Sequence, residues 1–282
     1  MNRKTIVGIG EILWDLLPTG KALGGAPANF AYHASRLGAE GWAVSAVGRD
    51  ALGDEILGIV SDKKLNALIE RTDQPTGTVG VTLDAAGIPS YEIREHVAWD
   101  YIPFTDEMEA LARRADAVCF GSLVQRMDSR ESVLRFLRAM SPSALRVFDI
   151  NLRQHYWSKE VIETSLILSD ILKINDEEIR KVADLFDLGG DDTAVCRRLI
   201  ADYGLDLVIL TRGADGSEVV TAGDVIPQGV GKVDVVDTVG AGDAFTAAFV
   251  VAYLNGGSLA EAQEQASRTA AYVCSHKGAM PE

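Results

Sequence analysis

Short apolar runs alternate with longer helical patterns along most of the chain. Six of these runs, rich in β-branched residues, are strand candidates: Ile6–Gly10, Ala43–Gly48, Ala117–Phe120, Arg146–Ile150, Ile171–Ile174 and Leu207–Thr211. Strands that alternate with helices are typical of α/β proteins with a parallel sheet. The pattern therefore predicts an α/β fold around a central, mainly parallel sheet.

Three segments have the apolar periodicity of amphipathic helices. The first is Pro27–Leu37, with Pro27 suited to its first turn and Gly38 to its end. Two more lie near the C-terminus, where apolar residues recur at helical spacing. Their apolar positions are Phe245, Ala248, Phe249 and Ala252 in one segment and Leu259, Ala262, Ala266, Ala270 and Val273 in the other. The chain is thus expected to end in a helical pair.

One segment departs from the alternation of strands and helices. Between Thr78 and Arg94, apolar and polar residues alternate on both sides of Ala85-Ala86-Gly87, which is typical of an antiparallel hairpin with a turn at that point. Such a hairpin either projects as a lid beside a ligand crevice or extends the edge of the main sheet. The pattern alone does not choose between these alternatives.

Composition and charge restrict the classes of partner. The chain has 282 residues, 47% of them hydrophobic and 24% charged, within the range of ordinary globular proteins. This length predicts one large domain or one domain with an appendage. The formal net charge of −14 disfavours binding to nucleic acids and to anionic membranes, because both carry negative charge. A small anionic ligand would need backbone amide groups, a few basic side chains or a metal ion.

The cysteines and the N-terminus are informative about the cellular compartment. Cys119, Cys196 and Cys274 are widely spaced and odd in number, which predicts neither a disulfide framework nor a metal site. The basic start is followed by a short apolar run that is expected to be a strand, not a secretory signal. No apolar stretch reaches the roughly 18 residues of a membrane helix. We therefore expect a cytoplasmic protein.

A glycine-containing segment directly before the first C-terminal helix is a candidate anion site. In Asp237-Thr238-Val239-Gly240-Ala241-Gly242-Asp243, the small residues allow the backbone amides of Ala241, Gly242 and Asp243 to face a ligand at a helix N-terminus. The Asp243 carboxylate could then accept a proton while the amides stabilise a transferred phosphoryl group. The alternative is that Asp243 only caps the helix.

A second candidate segment precedes the first helix. In Gly24-Gly25-Ala26-Pro27-Ala28-Asn29, a diglycine turn leads into a helix whose first turn displays Asn29. The Asn29 amide can donate to and accept from sugar hydroxyls, and Asp15, which follows the first strand, can accept from vicinal hydroxyls. The alternatives are a proline-initiated helix with a cap-like asparagine and a solvated acidic residue.

These two segments together resemble the two signatures of the ribokinase-like (PfkB) carbohydrate kinases. They lie more than 200 residues apart and in the family's order, as Gly24–Ala31 and Asp237–Phe245. The resemblance implies a single domain over residues 1–282, a three-layer α/β sandwich with a small β-sheet lid formed by about residues 77–100 and a segment near 12–22. It also implies ATP and Mg²⁺ as cofactors, a small sugar as substrate, catalytic roles for Asp243, Gly240, Ala241 and Gly242, and sugar contacts from Asp15, Gly24, Gly25 and Asn29.

Further segments resemble elements of the same family. Asn175 and Glu178 resemble an N-x-x-E element that organises Mg²⁺ through water, with a helix cap and a solvated acid as the alternatives. Thr211, Arg212, Gly213 and Gly216 resemble a nucleotide-contacting turn, with a plain β-turn as the alternative. Family members often bind a monovalent cation such as K⁺, and Asp237 stands at the corresponding position.

Within the family, three segments look most like bacterial fructokinases, and they imply fructose as the sugar: Asp149–Arg153, Leu172–Glu178 and Ala98–Asp100. Arg153 follows a strand end, where its guanidinium would contact phosphate or a sugar oxygen; a surface arginine paired with an acid is the alternative. Other PfkB substrates, namely 2-keto-3-deoxygluconate, ribose and nucleosides, remain open, as does a catalytically inactive binding protein. A homodimer through the lid is also open.

Three unrelated enzyme classes do not fit the sequence. The segment after the first strand, Gly8–Leu13, lacks the third glycine of a dinucleotide-binding fingerprint, and no P-loop motif occurs. The four histidines, His33, His96, His155 and His276, lack the spacing of zinc ligands. A kinase of the ribokinase type is the interpretation that these observations favour.

Overall fold

The computed structural model describes residues 3–17, 20–83 and 89–282, and the side chains of these residues except at 81–83 and 89–91. Thirteen strands lie within this part of the chain: β1 (Thr5–Ile9), β2 (Leu13–Leu17), β3 (Gly20–Gly24), β4 (Glu40–Gly48), β5 (Asn66–Thr72), β6 (Gly77–Leu83), β7 (Pro89–Ile93), β8 (Ala117–Phe120), β9 (Leu145–Asp149), β10 (Ile171–Asn175), β11 (Leu207–Thr211), β12 (Ser217–Val220) and β13 (Val225–Gln228). Nine of them form the main sheet, in the order β13-β12-β11-β10-β9-β8-β1-β4-β5. The pairs from β11 to β5 are parallel, and β12 and β13 are antiparallel additions at one edge.

Nine helices connect and cover these strands within the same described residues. They are α1 (Ala26–Arg36), α2 (Ala51–Asp62), α3 (Asp106–Arg114), α4 (Ser129–Ala139), α5 (Lys159–Ile167), α6 (Asp176–Phe186), α7 (Asp192–Tyr203), α8 (Ala241–Leu254) and α9 (Leu259–Cys274). The three helices predicted from periodicity are confirmed as α1, α8 and α9. None of the helices in the described part is both long and apolar enough to cross a membrane.

The inner strands of the main sheet are mostly apolar because helices cover both faces of the sheet. Along β11, Val208 and Leu210 pack into the cluster that includes residues of α3 to α7, whereas Leu207 and Ile209 face the cluster of α1, α8 and α9. Side chains alternate between the two faces of a strand, so a strand buried on both sides has no polar repeat. This arrangement confirms the predicted three-layer α/β class with a mainly parallel sheet.

The predicted hairpin belongs to a separate small sheet. Its strands lie in the order β3-β2-β6-β7, with β2 and β6 parallel and the other pairs antiparallel. The alternative that the hairpin extends the edge of the main sheet is therefore wrong. The predicted turn at Ala85-Ala86-Gly87 lies outside the described residues. The end of the predicted lid segment is not a strand, because Ala98–Tyr101 form a short 3₁₀ helix.

Arg126 ties the small sheet to the main domain. Its guanidinium forms a buried ion pair with Asp100, at 2.7 Å from Nε to Oδ1, and donates to the carbonyl oxygen of Arg94 just beyond β7. The same group lies between the rings of Trp99 and Tyr156, 4.1 and 4.6 Å from their centroids. Trp99 is fully buried, so this aromatic residue supports the base of the small sheet and does not face a crevice.

Replacing Arg126 with methionine is expected to destabilise the protein by about 3–5 kcal/mol, because Asp100 would keep a buried charge without its partner. Urea unfolding measures the loss. The matched control is Arg113→Met, which removes an exposed i,i+4 pair with Glu109 and should cost under about 0.5 kcal/mol. Equal losses in the two variants would contradict the anchoring role of Arg126.

Candidate active site

The N-termini of α1 and α8 meet beyond the carboxyl ends of the parallel strands. Nδ2 of Asn29, in the first turn of α1, donates to Oδ2 of Asp243, in the first turn of α8, at 2.8 Å. These residues are 214 positions apart in the chain, and each belongs to one of the two motifs singled out in the sequence. In open α/β proteins, ligands bind outside the carboxyl ends of the strands. The contact therefore joins both motifs at one candidate site.

Glycines are required at both helix starts. Gly25 has φ = 117°, and a Cβ there would lie 2.3 Å from the Glu11 carbonyl oxygen. Gly240 has φ = 78°, and a Cβ there would lie 2.6 Å from the Cβ of Ala279. Side chains disfavour such positive φ values and would collide at these distances. The glycines of the two motifs thus permit the close approach of a neighbouring segment to each helix start.

Asp243 does not cap α8. The cap position is Gly240, which offers no side-chain acceptor, and Asp243 is the third residue of the helix. The carboxylate instead accepts from Asn29 across the site. The alternative of a simple helix cap for Asp243 is therefore wrong.

One of the three predicted amide donors is already engaged. The backbone N–H of Ala241 donates to the Thr238 carbonyl oxygen at 3.3 Å, because the turn before the helix folds back on its first residue. The prediction of three outward amides is corrected in this respect. The amides of Gly242 and Asp243 belong to the first helical turn, whose N–H groups have no acceptor within the helix, and Gly242 is exposed.

A buried lysine contributes positive charge beneath the same helix start. Lys173 Nζ donates to Oδ1 of Asp149 at 3.1 Å, and a Cβ on Gly242 would lie 3.4 Å from this nitrogen. Burial opposes the charged form of Lys173, but the carboxylates of Asp149 and Glu178 outweigh it and raise its pKa. Thr246 Oγ1 lies 3.1 Å from the second oxygen of Asp149. Lys173 is therefore a charged ammonium fixed below the candidate anion site.

The carboxyl group of Asp243 holds protons more strongly than an ordinary aspartate. The residue is partly exposed, but its carboxyl group is surrounded by protein, and this burial raises its pKa to about 6. The hydrogen bond from Asn29 and the charges of Lys173 and Arg153 lower the pKa, whereas the charge of Asp149 raises it. A pKa near 6 suits a group that accepts a proton near neutral pH.

Two of the residues predicted to contact a sugar, Asp15 and Gly24, lie close together on the small sheet. Asp15 lies on β2 beside Gly24, where a Cβ would be 2.5 Å from Oδ2 of Asp15. Burial raises the pKa of Asp15, and the charge of Arg153 opposes this rise. Arg153 is exposed, and its charge also lowers the pKa of Asp243. Asp15, Arg153 and Asp243 thus belong to one electrostatic neighbourhood.

The Asn175 and Glu178 pair forms a capping box at the start of α6. Asn175 Oδ1 accepts from the Glu178 amide at 2.8 Å, and Glu178 Oε2 accepts from the Asn175 amide at 3.0 Å. Glu178 Oε1 accepts from the Leu152 amide at 2.8 Å. The cap alternative for Asn175 is confirmed, whereas the solvated alternative for Glu178 is wrong, because Glu178 is buried.

The predicted nucleotide-contacting turn carries an arginine that is already paired. Arg212 forms ion pairs with Asp192 and Glu218, at 2.7 and 3.2 Å. Two carboxylates thus hold the guanidinium on the side of α7 and β12. A nucleotide contact from Arg212 stays a prediction. Gly213 begins a short 3₁₀ helix after Thr211 and Gly216 follows its end, and both glycines have positive φ.

Asp237 fastens the C-terminal segment to the start of α8. Its Oδ1 accepts from the Val239 amide at 3.0 Å, and its Oδ2 accepts from the Gly278 amide at 2.9 Å. These bonds hold the turn that carries Gly240. A cation site at Asp237 stays a prediction.

Sequence reasoning missed Lys173 and Glu11 as members of the site. Lys173 interrupts a buried parallel strand, where a charged residue is rare unless it is paired, and that anomaly was a usable signal. Glu11 follows β1, is buried, and lines a small pocket together with Asp149, Asn151 and Asp243. A separate groove of about 530 Å³ between α6 and α7 is lined by none of the predicted site residues.

Comparison with known proteins agrees with this geometry. Residues 18–282 match the sequence pattern of the family described as "pfkB family carbohydrate kinase". The chain belongs to this family. A sugar kinase of Pyrococcus horikoshii is 30% identical to this pfkB kinase over 269 residues, which cover 88% of this chain and 82% of the relative. The crystal structure of the Pyrococcus protein superimposes with a TM-score of 0.83 and covers 98% of this chain and 94% of that one.

Other relatives of this pfkB kinase are named for different substrates. A fructokinase of Klebsiella pneumoniae is 29% identical over 261 residues, which cover 88% of this chain and 83% of the relative. An aminoimidazole riboside kinase of Salmonella typhimurium is 28% identical over 299 residues, which cover 99% and 91%. The expected resemblance to the PfkB carbohydrate kinases is confirmed, and this protein is a sugar kinase of that family.

The raised pKa of Asp243 predicts a pH-dependent stability difference. The folded protein holds the Asp243 proton up to about pH 6, whereas an unfolded aspartate loses it near pH 4. The tighter proton binding stabilises the folded wild type below pH 4, and this stabilisation is lost as the pH rises from about 4 to about 6. Asp243→Asn has no such group. Its melting temperature should rise relative to wild type from pH 4 to pH 6 and keep that advantage at pH 8.

Glu261→Gln is the control with the opposite sign. The hydrogen bond from the Ser258 hydroxyl lowers the pKa of Glu261, so this carboxylate stabilises the fold above its unfolded pKa and the contribution is lost as the pH falls. The variant should therefore lose stability relative to wild type as the pH rises. A pH-independent difference for Asp243→Asn would contradict the burial of its carboxyl group.

Proposed function

We propose that this pfkB kinase transfers the γ-phosphoryl group of ATP to a hydroxyl of a small sugar, with fructose preferred. The observation that carries the proposal is the hydrogen bond between Asn29 and Asp243, which holds a carboxylate of raised pKa beside a helix N-terminus. A proton acceptor and amide donors in one place are what phosphoryl transfer to a hydroxyl requires. Retention of Asp243 also disfavours the inactive binding protein.

In this mechanism Asp243 is the general base. Its carboxylate accepts the proton of the sugar hydroxyl while that oxygen forms a bond to the γ-phosphorus, and the bond to the β,γ-bridging oxygen breaks to leave ADP. The amides of Gly242 and Asp243 donate to the phosphoryl oxygens, and Gly240 gives the backbone the turn that exposes them. The charge of Lys173 adds to this stabilisation, because the transferred group is negative throughout.

ATP is proposed as the phosphoryl donor on the strength of relatives. The Pyrococcus horikoshii structure in complex with ATP is 29% identical to this chain, with a TM-score of 0.81. Thr211, Gly213 and Gly216 are the residues proposed to face the nucleotide, at the carboxyl end of β11. Asp237 is the proposed residue beside a monovalent cation such as K⁺.

Mg²⁺ is proposed to enter with the nucleotide. Within the described residues, no group of three acidic, histidine or cysteine side chains is placed to hold a metal ion. Mg²⁺ keeps several waters and binds through substrate phosphates with one or two carboxylates. Glu178 is the proposed carboxylate that reaches it through water, while its hydrogen bonds to Leu152 and Asn175 fix its position. When bound, the ion would neutralise part of the negative charge of the phosphates.

The sugar is proposed to lie between the small sheet and Arg153. Asp15 and Asn29 offer an acceptor and an amide for hydroxyl groups, and Gly24 and Gly25 are the proposed backbone contacts of the sugar. The small sheet acts as a lid in this proposal and as a dimer contact through its edge strands. Fructose is favoured by the fructokinase-like segment at Asp149–Arg153.

Sugar binding is expected to order the lid. Amide hydrogen exchange in peptides covering residues 77–83 and 89–94 should slow at saturating sugar, because closure protects strand hydrogen bonds. Peptides from β8, which is fully buried, serve as the internal reference. Unchanged exchange in the lid at saturating substrate would contradict closure.

A panel of sugars in an ATP-consumption assay tests the substrate. Fructose should give a higher kcat/KM than ribose, 2-keto-3-deoxygluconate, fructose 6-phosphate or a nucleoside, since this ratio compares transition-state binding of competing substrates. A higher value for another substrate would replace fructose and leave the kinase class intact. No turnover with any of them would contradict the proposed function.

A further inference from the structure

Glu11 is a buried acid with an unused polar atom. It follows β1 and is 4% exposed, and its Oε2 has no hydrogen-bond partner. Backbone amides of Glu11 itself and of Ala26 hydrogen-bond to the carboxylate, which attaches it to the start of α1. An unpaired buried carboxylate oxygen is costly, because it has lost its water without gaining a donor. Attachment to α1 therefore does not explain the free oxygen.

The residue that carries this buried oxygen lines the candidate site. Glu11 lines the small pocket that Asp149, Asn151 and Asp243 also line. Charged groups act on it from two elements: Asp243 on α8 and Arg153 beyond β9. Burial is the main cause that raises the pKa of Glu11 to about 7, and the negative charge of Asp243 adds to the rise.

The chemistry of this position selects a hydroxyl group as its partner. A carboxylate repels phosphate, so the nucleotide is a poor occupant for Oε2. A hydroxyl group, in contrast, donates to an ionised carboxylate and accepts from a protonated one. It therefore satisfies Glu11 in either protonation state, which suits an acid whose pKa lies close to neutral pH.

We propose that Glu11 is a substrate-binding residue whose Oε2 hydrogen-bonds to a sugar hydroxyl other than the phosphoryl acceptor. The inference rests on the proposed function and adds a specificity determinant to it. A site built to bond a hydroxyl discriminates against the analogue that lacks it, because its own polar group is then left unpaired. The Glu11 carboxyl group would thus select one hydroxyl position of the sugar.

The test combines variants with monodeoxy sugars. Wild type, Glu11→Ala and Glu11→Gln are assayed with fructose and with its 1-, 3- and 4-deoxy analogues. The wild type should lose about 10- to 100-fold in kcat/KM on one analogue. Glu11→Ala should lose as much on fructose itself and show no further loss on that analogue, with most of the change in KM. Glu11→Gln, which keeps size and hydrogen bonding, should recover part of the discrimination.

A purely structural role gives a different pattern. If Glu11 only holds the start of α1, Glu11→Ala lowers kcat/KM by the same factor for fructose and every analogue, and that result would overturn the inference. Unchanged kinetics in both variants would overturn it too. Melting temperatures verify folding, and Glu11→Gln decides the question if Glu11→Ala does not fold.

Asp50→Asn is the matched control. Asp50 also bonds backbone amides, of Gly53 and Thr76, but lies at the start of α2 outside the pocket. It should keep the wild-type discrimination among the four sugars. A wild type that phosphorylates fructose without any coupling to Glu11 contradicts only this inference, whereas a wild type that phosphorylates no sugar contradicts the proposed function and the inference together.

Discussion

The hydrogen bond between Asn29 and Asp243 is the contact on which the candidate site depends. It spans 214 residues of sequence and closes the space between two helix starts over the carboxyl edge of the sheet. Each helix start needs a glycine with positive φ for this approach, Gly25 before α1 and Gly240 before α8. The backbone is therefore arranged so that one carboxylate stands beside free helix amides, with a polar amide side chain to orient it.

Burial of charge is the cost of this arrangement, and pairing offsets it. Asp149 and Lys173 occupy matching positions on the adjacent strands β9 and β10, so the parallel register itself places the ammonium beside the carboxylate. Asp243 and Glu11 are less fully compensated, and the pKa of each is raised, to about 6 and about 7. Sites that perform proton transfer commonly keep such uncompensated groups. These incompletely paired carboxyl groups lie where a sugar and a phosphoryl group are proposed to meet.

Much of this organisation could be predicted from the sequence, because periodicity and turn chemistry are local. The apolar runs become strands of one sheet, and the periodic segments become α1, α8 and α9. Only the structure could show which sheet the hairpin joins, since its alternation of apolar and polar residues fits a lid and a sheet edge equally well. Lys173 and Glu11 could not be assigned, because their roles arise from strand register and from burial under α1. The ion pair of Arg212 could not be foreseen for the same reason, because its partner Asp192 lies 20 residues away on α7.

The turnover number of Asp243→Asn decides whether Asp243 is the general base. The variant keeps the size of the side chain and an acceptor for Asn29 but removes the proton acceptor. If Asp243 is the general base, kcat falls by about 10²–10⁴-fold, while the dissociation constants of sugar and ATP change only a few-fold and the protein stays folded. Near-normal kcat in a folded variant would show that Asp243 is not the general base.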